Sequence, residues 1–206
     1  MALFGFLRGD PVAAFWRWFA RNAEAIAGEV RALREDQPAT TLTTDEMARR
    51  LRKIHPSLTH EIGSDADWPI ELIISADGDL DGFPAVTRTV GEAPPLPGFR
   101  ITAFRKRVGP EFMLGMFGKE IRFRQVRYES WPDEDRLGVK LYIAVDGLEE
   151  DQLDAMAFIL LDMALGEYDV ATGLGAIEVA VGRPTAAKPL SDLAAEFDAY
   201  RAPTVH

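Results

Sequence analysis

The spacing of apolar residues changes from helical to alternating at Pro56, and this change constrains the fold more than any other feature of the sequence. Before Pro56, apolar residues recur every three or four positions, as on one face of a helix. In the segments that follow Pro56, around residues 58–62 and 70–74, they recur at every second position, which is typical of strands with one buried face. Helical and strand segments that are separated in this way predict an α+β fold.

Residues 1–55 form the helical part of this prediction. Asp10 and Pro11 are typical of a helix start, because the carboxylate can cap free backbone amides and proline favours the first helical position. A long amphipathic helix follows. Thr43 and Glu46 then have the spacing of a capping box, which predicts a second, shorter helix.

The remaining segments repeat the order strand, strand, helix, strand. We predict one such β-β-α-β unit over residues 57–105, a second over 119–182, and a closing helix over 189–201. Each unit has an Asp-Gly dipeptide between its second strand and its helix, Asp77-Gly78 and Asp146-Gly147. This shared feature indicates a structural duplication, and the alternative is coincidence, since Asp-Gly is common in turns.

We therefore expect a single α+β domain over residues 1–206. Its two β-β-α-β units form a mostly antiparallel or mixed sheet, or two abutting sheets. The two N-terminal helices and the C-terminal helix pack on this sheet.

One irregularity interrupts the alternation in the second unit. Ile121 and Phe123 follow one phase, whereas Val126 and Tyr128 follow the other. A single extra residue in one strand shifts the phase in this way. The slip therefore predicts a β-bulge near Gln125.

Composition excludes several classes of chemistry. The chain has no cysteine, so disulfides, thiolate metal sites, iron–sulfur clusters and thiol nucleophiles are impossible. The formal net charge of -10 disfavours nucleic acid as a partner, because binding to a phosphate backbone normally depends on a basic surface. The start of the chain lacks the basic region of a secretory signal, and no stretch approaches the ~20 apolar residues of a membrane span. We expect a cytoplasmic protein without a membrane partner.

An acidic segment resembles half of a calcium-binding loop. Asp77, Asp79 and Asp81 occupy alternate positions and are followed by Gly82, as at the start of such a loop. The twelfth position, however, is Arg88, where the loop requires a glutamate. We interpret the segment as a capped turn between a strand and a helix, and the alternative is a metal site formed by the three aspartates. No cofactor is predicted.

The glycine-rich segments do not match phosphate-binding loops. The segment Gly115–Lys119 has the wrong glycine spacing and is followed by Glu120 instead of a hydroxyl residue. Gly173 and Gly175 precede a strand rather than opening a helix, so their amides would not face a pyrophosphate. Both segments are interpreted as turns. No serine lies in a nucleophile elbow, and no acid–histidine spacing indicates a catalytic triad.

Three acidic residues cluster near the end of the apolar helix predicted over 148–165. Asp162 lies within that helix among apolar side chains, so its carboxylate must find hydrogen-bond donors or shift its pKa. Glu167 and Asp169 follow directly. The preferred interpretation is a structural anchor, and the alternative is a set of catalytic residues that act on a small molecule or hold a hard cation such as magnesium.

Polar residues on the outward side of the strands form another candidate surface. Arg100, Lys140 and Tyr142 are candidates for contact with a ligand. Cross-strand pairing with neighbouring charged residues is the default interpretation.

Four segments, FWRWF, ELIISADG, PGFRITAFR and LDMALGEYD, together resemble a bacterial family of uncharacterised proteins; they lie at Phe15–Phe19, Glu71–Gly78, Pro97–Arg105 and Leu161–Asp169. The resemblance spans most of the chain. It implies a bacterial origin and a shared fold, and it carries no activity or catalytic residue.

The missing catalytic motif and the mixed-charge strand surface favour a non-enzymatic binding or protein-interaction protein. Its partner would be a protein or a small molecule, and the oligomeric state stays open. The alternative is a small-molecule or metal-dependent enzyme that uses Asp162, Glu167 and Asp169. A third hypothesis, a toxin-neutralising or regulatory partner, rests on the acidity and the aromatic N-terminal helix.

Overall fold

A computed structural model describes residues 9–35, 42–63, 69–109 and 111–202. It confirms the α+β class. The chain divides into two compact units, residues 1–104 and residues 105–206. That the whole chain acts as one domain stays a prediction, and the two units are described in turn.

The first unit has the predicted order of elements. Its helices are α1 (Pro11–Arg34), α2 (Leu42–Leu51) and α3 (Phe83–Gly91), and its strands are β1 (Thr59–Gly63), β2 (Ile70–Ser75) and β3 (Phe99–Ala103). The strands form one sheet in the order β1-β2-β3. Strand β1 is antiparallel to β2, and α3 connects β2 to the parallel strand β3.

Helix α1 begins as predicted and supplies much of the core of the first unit. Asp10 Oδ1 accepts a hydrogen bond from the backbone N–H of Val12 at 3.1 Å, which satisfies an amide at the helix start. Phe15 and Phe19 are fully buried. The indole N–H of Trp16 donates to a backbone carbonyl of α3 at 2.8 Å, so this large side chain is buried without losing its hydrogen bond.

The second unit contains three further helices and six strands in its described residues. The helices are α4 (Glu150–Leu165), α5 (Glu167–Gly173) and α6 (Leu193–Arg201), and the strands are β4 (Met113–Met116), β5 (Lys119–Arg122), β6 (Arg127–Asp133), β7 (Arg136–Ile143), β8 (Leu174–Val181) and β9 (Lys188–Pro189). Strands β4 and β5 form a separate hairpin, and the other four form a sheet in the order β8-β7-β6-β9. The inner face of this sheet and the apolar α4 build one core, in which Val139, Leu141 and Ile143 are fully buried.

The topology of the first sheet recurs in the second unit. Strand β6 is antiparallel to β7, and α4 and α5 connect β7 to the parallel strand β8, as α3 connects β2 to β3. The Asp-Gly turns differ, however. Asp77 and Gly78 both have positive φ, at 49° and 79°, whereas Gly147 has a φ of 75° and Asp146 keeps a negative one. The order and direction of the strands therefore repeat, and the turn geometry does not.

The predicted bulge near Gln125 is wrong. Strand β5 ends at Arg122, a 3₁₀ turn spans Phe123–Gln125, and β6 begins at Arg127. A short turn between two strands shifts the phase of apolar residues just as an inserted residue does. The sequence pattern alone therefore could not distinguish a turn from a β-bulge. The hairpin of β4 and β5 lies immediately before this turn.

No helix in the described ranges combines the length and the apolar character that crossing a lipid bilayer requires. Even α4, whose last six residues are all buried, has only 16 residues.

Candidate functional site

The predicted acidic cluster comes together around arginine side chains of the second unit. Arg105 Nη1 lies 3.2 Å from Asp162 Oδ2, and the two side chains are only 12% and 8% exposed. The backbone N–H of Arg105 donates to Glu167 Oε2 at 3.1 Å, and the backbone N–H of Glu167 donates to the Arg105 carbonyl at 3.0 Å. Asp162 therefore holds the side chain of Arg105, and Glu167 holds its backbone.

Asp169 belongs to a second, more exposed group of charges. Its carboxylate accepts hydrogen bonds from Arg107 at 2.9 Å and from Arg201 at 3.1 Å. Arg107 also donates two hydrogen bonds of 2.8 Å to the two carboxylate oxygens of Asp198. These hydrogen bonds from Arg107 hold the pKa of Asp198 below its ordinary value.

Residues 105–108, which we call the anchor segment, cap the end of α4. The last carbonyls of a helix lack partners within the helix. The backbone N–H of Val108 donates to the carbonyl of Met163 at 2.8 Å, and Arg107 Nε donates to that of Leu165 at 2.7 Å. A cation at this position also interacts favourably with the helix dipole. The contacts of Asp162, Glu167 and Asp169 thus favour structural anchoring, and a catalytic role for them stays a prediction.

The three outward polar residues predicted to face a ligand lie in different units. Arg100 is exposed on β3 of the first unit, whereas Lys140 and Tyr142 lie on the outer face of β7 in the second. Lys140 Nζ pairs with Glu178 at 2.9 Å, and the Tyr142 hydroxyl donates to Glu129 at 2.9 Å. These hydrogen bonds raise the pKa of both groups. Lys140 and Tyr142 therefore form cross-strand pairs.

The aspartates predicted as half of a calcium loop belong to a local turn. Asp79 accepts hydrogen bonds from the Ser57 hydroxyl and from the backbone N–H of Asp81, and these lower its pKa, the contribution of Ser57 being the larger. Asp77 occupies the first left-handed position of the preceding turn. Within the described residues, no group of three or more histidine, aspartate or glutamate side chains is arranged to hold a metal ion.

A surface that the sequence patterns did not reveal lies on the hairpin of β4 and β5. Of the nine large apolar side chains exposed in the described part of the chain, four fall within one ten-residue stretch: Val108, Phe112, Met113 and Phe117. Exposed apolar side chains are common when scattered, but a cluster of them is typical of a contact surface.

The two faces of this hairpin have different roles. Leu114 and Met116 on one face pack against the core of the second unit, together with the buried Ile121. On the opposite face, Met113 lies directly across from Arg122 in the strand pairing, and both are exposed. The inner face fixes the hairpin to the fold, and the outer face remains open to solvent.

The tip of the hairpin presents an aromatic ring in a strained backbone conformation. Phe117 and Gly118 form a two-residue turn in which both φ angles are positive, at 53° and 71°. Such turns favour Asn-Gly, because the left-handed region costs a bulky residue roughly 1–2 kcal/mol. Phe104 of the first unit also has a positive φ, but its ring packs against Phe83 at 4.5 Å. Phe117, in contrast, is 44% exposed.

A cleft of about 230 Å³ lies at the other end of the hairpin. It is lined by Glu111, Phe112, Met113, Arg122 and Arg124. Neither Arg122 nor Arg124 forms an ion pair with a carboxylate in the described part of the chain. We call the outer side chains of this region, Phe112, Met113, Phe117, Arg122 and Arg124, the hairpin surface.

The distribution of charge is the sequence signal that would have identified this region. Residues 105–127 contain seven lysine and arginine residues and two glutamates, a net charge of +5. The whole chain has a net charge of -10, so the residues outside this stretch carry -15. The average over the chain conceals a local basic segment that also carries the exposed aromatic side chains.

Comparison with known proteins gives no relative whose function could be transferred to these features. The absence of a parallel is consistent with the resemblance to a family of uncharacterised proteins, so the functional argument rests on the residues of the chain itself. No family model, no curated protein and no solved structure matches the chain.

Proposed function

We propose that this chain is a non-enzymatic binding protein of the bacterial cytoplasm, and that it contacts a partner protein through the hairpin surface. The observation that carries this proposal is Phe117, an exposed aromatic residue at a turn position that favours asparagine or glycine. Neither its exposure nor its backbone conformation contributes to the stability of the isolated chain. Strain that folding does not require is typical of functional positions.

The composition of the hairpin surface supports the same conclusion. Aromatic residues, methionine and arginine are enriched in the cores of protein interfaces, and tryptophan, tyrosine and arginine dominate their binding energy. The hairpin surface contains two phenylalanines, one methionine and two arginines. Its attachment to the core through Leu114 and Met116 anchors the hairpin before binding, which reduces the entropy lost on association.

The contacts of the acidic residues support the enzyme alternative less than they support a structural role. Its three acidic residues, Asp162, Glu167 and Asp169, all contact arginines or backbone groups of the anchor segment. These contacts engage Asp162 Oδ2, Glu167 Oε2 and both carboxylate oxygens of Asp169. The same contacts hold residues 105–108, which lead directly into the hairpin.

The decisive experiment replaces Phe117 by asparagine. Because Asn-Gly is the favoured sequence for this turn, we expect Phe117→Asn to raise the free energy of unfolding by about 1 kcal/mol. Partner binding should fall at least tenfold, since the exposed ring is lost. Stability is measured by chemical denaturation, and binding by quantitative mass spectrometry of proteins captured from a lysate of the source organism, followed by titration with the purified partner.

Glu134→Asn is the matched control. Glu134 also has a positive φ, at 54°, in the turn between β6 and β7, so the same substitution relieves the same kind of strain at another hairpin. It should stabilise the chain and leave partner binding unchanged. Equal capture by the wild type and both variants, or failure of the purified partner to bind, would contradict the proposed function.

A further inference from the structure

We infer that the hairpin surface binds an acidic, extended segment of the partner protein, with a carboxylate in the cleft and an apolar side chain against Phe117. This inference rests on the proposed function and specifies the chemistry of the partner. It follows from the two arginines of the cleft, from the charge of the surrounding segment, and from the distance between the two ends of the hairpin.

The cleft has the chemistry of a carboxylate site. Arg122 and Arg124 line it together with the apolar side chains of Phe112 and Met113. Guanidinium groups bind carboxylates in a bidentate manner, and such charge-assisted hydrogen bonds are the stronger ones in proteins. Since neither arginine has an ion-pair partner among the described carboxylates, both can accept one from outside.

The charge of the segment favours a peptide over a nucleic acid. Arg105 and Arg107 are already paired with acidic residues outside residues 105–127. The other five lysine and arginine residues of this stretch exceed its two glutamates by three charges, and this excess attracts an acidic segment and speeds its encounter. A long polyanion would also approach the rest of the second unit, residues 128–206, which contain five lysine and arginine residues and 16 acidic ones, and this net charge of -11 repels phosphates. Glu111 in the cleft and Glu120 on the hairpin restrict the favourable region further. A short acidic peptide fits this restricted region better than a continuous phosphate backbone.

The length of the hairpin sets the spacing of the partner's side chains. Met113 at the cleft and Phe117 at the tip are four residues apart along an extended strand, or roughly 14 Å at about 3.4 Å per residue. An extended peptide covers this distance in four residues. Midway, Gly115 pairs with Glu120, whose charge disfavours a further acidic residue. The expected pattern is therefore an acidic residue, three residues without negative charge, and an apolar residue.

A library of random twelve-residue peptides displayed on phage tests this inference while the partner itself is unidentified. Selection uses the full-length chain as bait and the Phe117→Asn variant for counter-selection. The enriched peptides should contain an acidic residue and, four positions away, an aromatic or large aliphatic one. The most enriched peptide is then synthesised with a fluorescent label, and its dissociation constant is measured by fluorescence polarisation.

Charge-reversal variants separate the cleft from the overall charge. We expect Arg122→Glu and Arg124→Glu each to weaken peptide binding at least fivefold. Arg183→Glu makes the same change in net charge at an exposed arginine between β8 and β9, and it should change binding less than twofold. Replacing the acidic residue of the peptide by lysine should abolish binding.

Three results would overturn the inference. The first is enrichment of peptides that depend on Phe117 but lack acidic residues, which would leave the proposed function intact. The second is enrichment of no peptide at all; the lysate experiment with Phe117→Asn then decides separately whether the hairpin is a contact surface. The third is tighter binding of a twelve-nucleotide single-stranded DNA than of the best peptide, which would assign the surface to nucleic acid.

Discussion

At the scale of single residues, burial and charge together define what Asp162 does. Its carboxylate and the guanidinium of Arg105 are both nearly removed from water, and each provides the other's opposite charge. Removing Asp162 takes a charged partner away from a buried arginine, which is more damaging than losing an ion pair at the surface.

We therefore predict that Asp162→Asn lowers the free energy of unfolding by about 3 kcal/mol. Chemical denaturation followed by circular dichroism measures this loss. Asp169→Asn is the control, because Asp169 pairs with Arg107 and Arg201 at partly exposed positions, where an ion pair is worth at most about 1 kcal/mol. A stable Asp162→Asn variant would argue against anchoring and would reopen the enzyme alternative.

At the scale of elements, close packing explains the glycines that precede β8. A Cβ atom at Gly173 would lie 2.4 Å from the ring of Phe197, and one at Gly175 would lie 2.1 Å from a carboxylate oxygen of Asp133. The same Asp133 oxygen accepts a hydrogen bond from the backbone N–H of Ala176 at 2.6 Å. These glycines therefore allow α6 and the end of β6 to approach the chain closely, and they do not form a phosphate-binding loop.

Two alanine substitutions should have opposite effects. Gly173→Ala forces the Phe197 ring out of its place in the core, and we expect a loss of about 1–3 kcal/mol in the free energy of unfolding. Gly28→Ala has open space around its Cβ in the middle of α1 and should gain about 0.5–1 kcal/mol. Thermal unfolding compares the two. Unchanged stability of Gly173→Ala would show that the ring moves without strain.

Local sequence patterns predict some of these elements and not others. The two β-β-α-β units are predictable because alternation, capping residues and prolines act over a few neighbouring positions. The hairpin of β4 and β5 is not, since its four-residue strands are too short for a clear alternation and a 3₁₀ turn follows directly. The pairing of Arg105 with Asp162, 57 residues further along, depends on tertiary structure and has no local signal.

At the scale of the whole molecule, carboxyl groups whose pKa is lowered on folding make stability depend on pH. The pKa of Asp198 is lowered by hydrogen bonds from Arg107. Burial acts to raise the pKa of Glu196, but hydrogen bonds from Lys188, Ser130 and Tyr128 outweigh it and lower the pKa. A carboxyl group with a lowered pKa binds fewer protons in the folded state, so its stabilisation is present above its unfolded pKa and is lost as pH falls through the folded one.

We predict that the melting temperature is steady from pH 8 to pH 6 and falls below about pH 4, where unfolded carboxyl groups begin to bind protons. The double variant Asp198→Asn and Glu196→Gln should start from a lower melting temperature and show a shallower decrease. Thermal unfolding at pH values from 3 to 8 provides the test. Parallel curves for the two proteins would show that other groups control the acid response.

The strained turn at Phe117 also has an evolutionary consequence. In a laboratory selection for heat resistance alone, asparagine or glycine should replace this phenylalanine, since either residue suits the turn better. In a selection that also requires the partner, phenylalanine should persist and stabilising changes should accumulate elsewhere, for example at Glu134. The two selections should therefore first differ at codon 117. The difference in stability between the selected residues would measure the cost in stability of keeping the contact.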